Sequence, residues 1–336
     1  MAEGLIEERS FLGRKARAAA PSREGRERWR RWVDRIGGRT MGGLAVSAAL
    51  LVLIIIIGLL ARAWPILRAY PLRELLLGRM WHPLQGLFGF WPFIVGTLWV
   101  TALAMLIAVP VCTLSAIYLA EYAPSTVRQM VKPLVDLLAG IPSVVYGLWG
   151  VLIVVPWIRE TVGPWVDGYL GHVGFLSTAA NPTGYGVLAA SIVLAVMVFP
   201  LIIAVMDEVL RSVPDGLREA TLALGVTRWI MVREVILRRA CGGIVAAVVL
   251  GFSRALGETM AVLMVVGNVP QVPRSLFDAA YPVTSLIANN FGEMMSIPQY
   301  DAALMAAGLF LLLVVLGFNL AAWLVLRRMS VLRGLR

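Results

Sequence analysis

An arginine and a glutamate occur where the surrounding sequence is apolar, in the run Gly251-Phe252-Ser253-Arg254-Ala255-Leu256-Gly257-Glu258-Thr259-Met260. A guanidinium stays charged at every physiological pH, and its planar fork matches phosphate oxygens two at a time. A carboxylate four residues further on shares the same face of a helix and can pair with it. Together they can pass a tetrahedral oxyanion. Arg254 attracts it; Glu258 neutralises the arginine when no anion is present and repels a dianion that lingers. Gly251 and Gly257 leave room beside them. These two residues are the candidates for substrate translocation. The plainer alternative is a structural ion pair between helices.

A second constellation lies in residues 207–239. Ser212-Val213-Pro214-Asp215 reads as a helix start, with Ser212 as cap, Pro214 in the first turn and Asp215 as the capping acid. Leu217, Ala220, Thr221 and Leu224 follow at helical spacing, and Gly225 ends the helix. Thr227 caps a second helix that carries Trp229, Ile230, Val235 and Ile236 toward the next apolar run. The expected product is two short helices joined by a tight turn, parallel to the membrane.

Other chemistry is missing from the sequence. No Gly-x-x-x-x-Gly-Lys-Ser/Thr run occurs, and neither lysine, Lys15 or Lys132, follows a glycine. A phosphate-cradling ATPase loop is therefore absent, and any ATP hydrolysis belongs to another polypeptide. No nucleophile–base arrangement marks an enzyme. His82 and His172 are isolated, whereas zinc needs three or four ligands, so neither a metal nor a cofactor is expected. Cys112 and Cys241 fall in or beside apolar spans and read as free thiols.

The elements that must position these residues are membrane helices. Apolar residues make up 59% of the 336-residue chain and charged ones 15%, with mean hydropathy +0.81. Ordinary soluble domains carry roughly 25% charged residues. The apolar runs are continuous and do not alternate, which argues against a barrel. Stretches of about 20 apolar residues suffice to cross a bilayer. Six occur: 40–61, 93–120, 137–158, 186–206, 240–268 and 302–326. Residues 80–92, broken by Pro83, Gly86, Gly89 and Pro92, read as an interfacial segment with Trp81 and Trp91 at headgroup level. Gly140, Pro142, Gly147 and Gly150 should kink span three and admit a neighbouring backbone.

The net charge of +10 has a topological meaning before any other, and nucleic acid is not an expected partner. Of 30 Lys/Arg residues, 23 fall on one side of the six spans and six on the other; the remaining one is Arg254. Cytoplasmic loops concentrate Lys and Arg, so both termini are expected in the cytoplasm. Residues 1–40 form a basic tail in which Trp29, Trp32, Val33 and Ile36 share one helical face. That fits either a helix lying on the membrane surface or a charged tail that fixes orientation. Residues 41–336 form one all-α transmembrane domain embedded in the lipid bilayer.

Two matches to known families refine this reading. Glu219-Ala220-Thr221, then Gly225, Val235 and Leu237, resembles the EAA loop of ABC importer permeases. The chain departs from that pattern at Arg238, where proline is usual. The resemblance implies a loop whose short helix docks on an ATPase subunit. The run from Arg254 to Val262, and that from Leu138 to Gly150, are similar to the fifth and third helices of the PstC family, the C-type permeases of bacterial phosphate importers. This implies a type I (MetI-like) permease fold in the inner membrane, with Arg254 and Glu258 in phosphate translocation and Glu219, Ala220, Thr221, Gly225 and Leu237 in the ATPase coupling loop. The implied partners are a second homologous permease, a dimer of cytoplasmic ATP-binding subunits and an extracytoplasmic phosphate-binding protein. Two other readings stay open: a secondary, ion-coupled anion transporter, and an ABC permease for another oxyanion such as molybdate.

Overall fold

The computed structural model describes residues 23–170, 173–178, 181–293 and 297–334; His172 lies outside them. Among the described residues, six helices are long and apolar enough to cross a membrane: Arg31–Ala69, Trp91–Tyr122, Ser143–Tyr169, Val187–Arg211, Arg228–Leu256 and Pro298–Arg328. They are spans one to six below. Residues up to Gly58 form one unit and the chain from Leu59 onward another.

Helix α1 (Arg23–Ala69) runs without interruption. Within the first unit the Trp29 and Trp32 rings stack at 5.5 Å. In the second unit, Ala63 and Ile66 of α1 are buried, and Arg62 pairs with Asp301 of span six at 3.0 Å.

The stretch between spans one and two is a compact cap. Helix α2 (Leu72–Leu77) is followed by β1 (Trp81–His82) and β2 (Leu87–Phe88), paired antiparallel. Trp81 is buried among Phe88, Phe90, Phe93 and Tyr300, with ring centroids 5.1–5.8 Å apart. This corrects the expectation of a headgroup anchor at Trp81: its ring forms the centre of a small aromatic core.

The core of the bundle is the contact of α3 (Trp91–Ile117) with α8 (Val187–Arg211). Ala104, Ala108, Cys112 and Ala116 recur every fourth residue on α3 and are fully buried. Small residues on one stripe let two helix backbones approach closely, which replaces the hydrophobic drive that lipid does not supply. The Ser191 hydroxyl, also fully buried, donates to the carbonyls of Val187 and Val100 and links the two helices.

Span three differs from its expected bounds. Helix α4 (Ser125–Ala139) is separate, and α5 (Ser143–Trp149) starts only after Pro142, whose backbone is extended (φ −58°, ψ 140°). Gly140 and Pro142 thus break the chain where a kink was expected, because a proline disfavours helical geometry at the residue before it. From α5 the helix continues through a π stretch (Gly150–Val154), α6 (Val155–Trp157), a second π stretch (Ile158–Val162) and α7 (Gly163–Leu170). It passes Arg159 and Glu160, which pair with each other at 2.5 Å. Gly147 and Gly150 do admit close neighbours. A Cβ there would overlap the Met264 sulfur, and Val193 and Val265, respectively.

Span five is displaced from its expected bounds, starting and ending 12 residues earlier. It runs through α10 (Arg228–Met231), a π turn (Val232–Ile236) and α11 (Leu237–Leu256), then breaks; α12 (Met260–Val265) follows. The chain after α12 then wedges back into the bundle. Phe277 to Ala280 and the start of α13 (Val283–Asn290) are buried, and span six is α14 (Pro298–Gly334). Gly186 N–H donates to Val265 O (3.1 Å) and Val187 N–H to Asp278 O (3.0 Å), so the wedge is held by backbone bonds at the start of span four. A Cβ on Gly186 would overlap the carbonyl oxygens of Phe277 and Asp278, and backbone cannot give way as a flexible side chain can. Gly186→Ala should therefore destabilise the protein by about 1–3 kcal/mol. The check is a lower Tm in detergent, with Gly168→Ala, which meets nothing within 4 Å, unchanged.

Candidate functional site

Arg254 lies in the last turn of α11. It stands 15 residues beyond Arg239, or about 20 Å along the helix axis at ~1.5 Å per residue, in a bilayer core of about 30 Å. Ala247, Gly251 and Ala255 form the face of α11 that is buried in the bundle. Leu250, Arg254 and Gly257 form a different stripe, exposed on this chain. The small buried stripe has a clear cause: a Cβ on Gly251 would meet Ile202 of span four.

Arg254 and Glu258 do not pair as expected. The helix ends at Leu256, so the two residues are not on one continuous helical face. No ion pair within 4 Å joins them among the described residues. Glu258 instead caps the next helix: its Oε1 accepts from Ala261 N–H (3.2 Å), and its carbonyl accepts from the Thr284 hydroxyl (2.8 Å). A carboxylate is favoured at a helix N-terminus, where amide N–H groups lack partners. Glycine at 257, with poor helix propensity, permits the break. The sequence signal was Gly257 between the two charges, and helical spacing outweighed it.

The Tyr146 hydroxyl of α5 donates to Leu138 O at the end of α4 (2.9 Å). Arg254 is exposed on this chain, at the end of α11. An uncompensated guanidinium at this depth costs at least about 2.5 kcal/mol on insertion scales, so it persists only beside water, an anion or another chain. Interrupted helices at membrane depth are tolerated where they line such a route.

The loop of residues 207–239 folds nearly as read. Helix α9 (Asp215–Ala223) begins after Pro214. Ser212 is not its cap; its hydroxyl donates to Val209 O (2.7 Å) on the preceding helix. Gly225 adopts φ +78°, the left-handed geometry that glycine accepts without strain. Thr227 Oγ1 accepts from Ile230 N–H (3.4 Å) and caps α10 as expected. On α9, Glu219 and Ala220 are exposed, while the Thr221 hydroxyl donates to Leu217 O (2.6 Å). Leu224 is 82% exposed at the tip. Leu237 is half-buried at the start of α11, and Arg238, ion-paired to Glu234, continues the same helix. The arginine in place of proline thus leaves the path into span five unbroken.

A third feature escaped the sequence reading. A π turn (Tyr118–Tyr122) ends span two and carries Glu121, whose side chain is 4% exposed. Arg218 of α9 pairs with it at 2.9 Å, and with Asp215 at 2.9 Å. Arg218 also donates to the carbonyls of Leu210 (2.8 Å) and Val213. The bond to Glu121 holds the guanidinium above its ordinary pKa, against the pull of burial. Ninety-seven residues separate the partners, so no local pattern marks them.

Comparison with known proteins agrees with this architecture. Residues 112–331 match the family model described as binding-protein-dependent transport system inner membrane component. The chain is 34% identical over 305 residues to the phosphate transport system permease protein PstC of Haemophilus influenzae, covering 90% of this chain and 96% of that one. It is 41% identical over 236 residues to PstC of Pasteurella multocida, covering 70% and 73%. It is 39% identical over 254 residues to PstC 1 of Mycobacterium tuberculosis, covering 74% and 75%. Among solved structures, an inward-facing MetNI methionine ABC transporter is similar, with TM-score 0.50 and 19% identity, over 74% of this chain and 99% of that chain. Likeness at that identity is one of fold.

Proposed function

Because the chain belongs to the family of inner-membrane components of binding-protein-dependent transport systems, we propose that it works as the phosphate-translocating permease of an ATP-driven importer. Its fold is that of type I ABC importer permeases, and it is a multi-pass protein of the inner membrane. The observation that carries the cargo reading is Arg254: a permanent, forked cation on an exposed face about 20 Å along the helix axis from Arg239, with no carboxylate in ion-pair range among the described residues. The PstC relatives direct the choice among oxyanions toward phosphate.

The same exposed stripe supports a second homologous permease as partner, since a face bearing a guanidinium is poorly suited to lipid. A dimer of cytoplasmic ATPases and an extracytoplasmic phosphate-binding protein complete the assembly, with both termini of this chain in the cytoplasm. Glu258 acts by fixing the break, as cap of α12, and so holds Arg254 at the helix end. Helix α9, with Glu219, Ala220, Thr221, the Gly225 turn and Leu237 behind it, is the part that meets the ATPase. Residues 1–40 act as a basic tail that fixes orientation.

Two experiments test this. Arg254→Gln should cut ATP-dependent phosphate uptake at least a hundredfold while the complex still assembles. Wild-type uptake in that variant, or uptake by the purified chain alone in liposomes without ATPase, would reject the assignment. Glu219→Lys should weaken ATPase co-purification in mild detergent; normal recovery together with normal transport removes α9 from the coupling role.

A further inference from the structure

Helix α9 is held to the membrane domain by little. None of its residues is buried, and of its apolar side chains Leu217 packs, partly exposed, against the core. A cleft of about 400 Å³ opens beside it, lined by Glu121, Arg128, Arg211, Asp215, Arg218 and Arg228. Across this cleft runs the Arg218–Glu121 contact, in which Nε and Nη2 both donate to Oε1 at 3.2 and 2.9 Å. The side chains are 15% and 4% exposed, so the pair is shielded from the screening that makes surface ion pairs weak. Its fork is also occupied on the other side, by Asp215 and by the Leu210 and Val213 carbonyls.

The Glu121 end is equally fixed. The carboxylate projects from the π turn that terminates span two. Arg128 of α4 donates to the carbonyls of Leu119 (3.1 Å) and Ala120 (3.0 Å) and so holds that turn. Loop connectivity matters here. Helix α9 is joined covalently to span four through residues 212–214 and to span five through the Gly225 turn. Span two has no covalent link to the loop.

We propose that Arg218 and Glu121 are positioning residues of transport: a rigid ionic strut by which displacement of α9 also moves the cytoplasmic end of span two. The proposal rests on α9 being the ATPase-contacting helix. A planar guanidinium bonded on several edges resists rotation, whereas a single flexible contact would let α9 slide past span two. The strut adds span two to the two spans that the backbone already drives.

The test uses the full complex in proteoliposomes and reads three quantities: ATPase retention, ATP hydrolysis, and phosphate taken up per ATP hydrolysed. Glu121→Gln/Arg218→Met removes both charges at once and leaves no lone buried ion to unfold the protein. That double variant should keep its ATPase and hydrolyse ATP within about twofold of wild type, yet move at least tenfold less phosphate per ATP. Arg218→Lys, which keeps one point contact to Glu121, should fall between. Normal phosphate per ATP in the double variant overturns the strut. So does loss of the ATPase from it, since the pair would then serve docking. Glu219→Lys runs alongside. If it too leaves ATPase retention and transport intact, the role of α9 has failed; if it alone impairs them, only the strut has.

Discussion

A guanidinium cannot give up its charge, and that constraint shapes the centre of this protein. Arg254 lies about 20 Å along the helix axis from Arg239. Its neighbour in sequence, Glu258, is engaged with the amide of Ala261, so the charge is left available. The helix break at Gly257 is what separates them. Had α11 continued one more turn, the two side chains would have shared a face and the arginine would have been neutralised within its own chain. The burial of Ala247, Gly251 and Ala255 against span four then orients the other stripe, with Leu250 and Arg254, away from the bundle.

The loop between spans four and five is built by different means. Span two and span four pack through small side chains and a buried serine. The loop helix α9 is polar, nearly free of buried contacts and bounded by tight turns at Pro214 and Gly225. A stiff short helix suits the transmission of rigid-body motion. Its attachment through Arg218 to Glu121 gives it a second anchorage beside the covalent one.

Much of this was legible in the sequence, for reasons that differ by element. The six spans follow from length and hydropathy, because a bilayer sets the length that a helix must have. The Gly225 turn and the Thr227 cap follow from local rules of backbone geometry. Span boundaries were less accessible. Pro142 ended a helix instead of kinking one, and the apolar run after Gly257 belonged to a separate helix. Hydropathy averages across such breaks without seeing them. The Ser212 hydroxyl donates to Val209 O on the preceding helix and does not cap α9. Trp81 looked like an interfacial anchor until the hairpin enclosed it, an outcome that depends on Tyr300 more than two hundred residues away. The Arg218–Glu121 pair was invisible for the same reason.

Phosphate passage by Arg254 requires that the open stripe of α11 face a watery route, and a cysteine at position 250 probes that stripe one turn from Arg254 without altering the arginine. With Cys112 and Cys241 replaced, the assembled transporter should react at Leu250→Cys with a charged, water-borne thiol reagent. Phosphate should slow that reaction and chloride should not. Labelling only by reagents that partition into lipid, or a rate indifferent to phosphate, would contradict it.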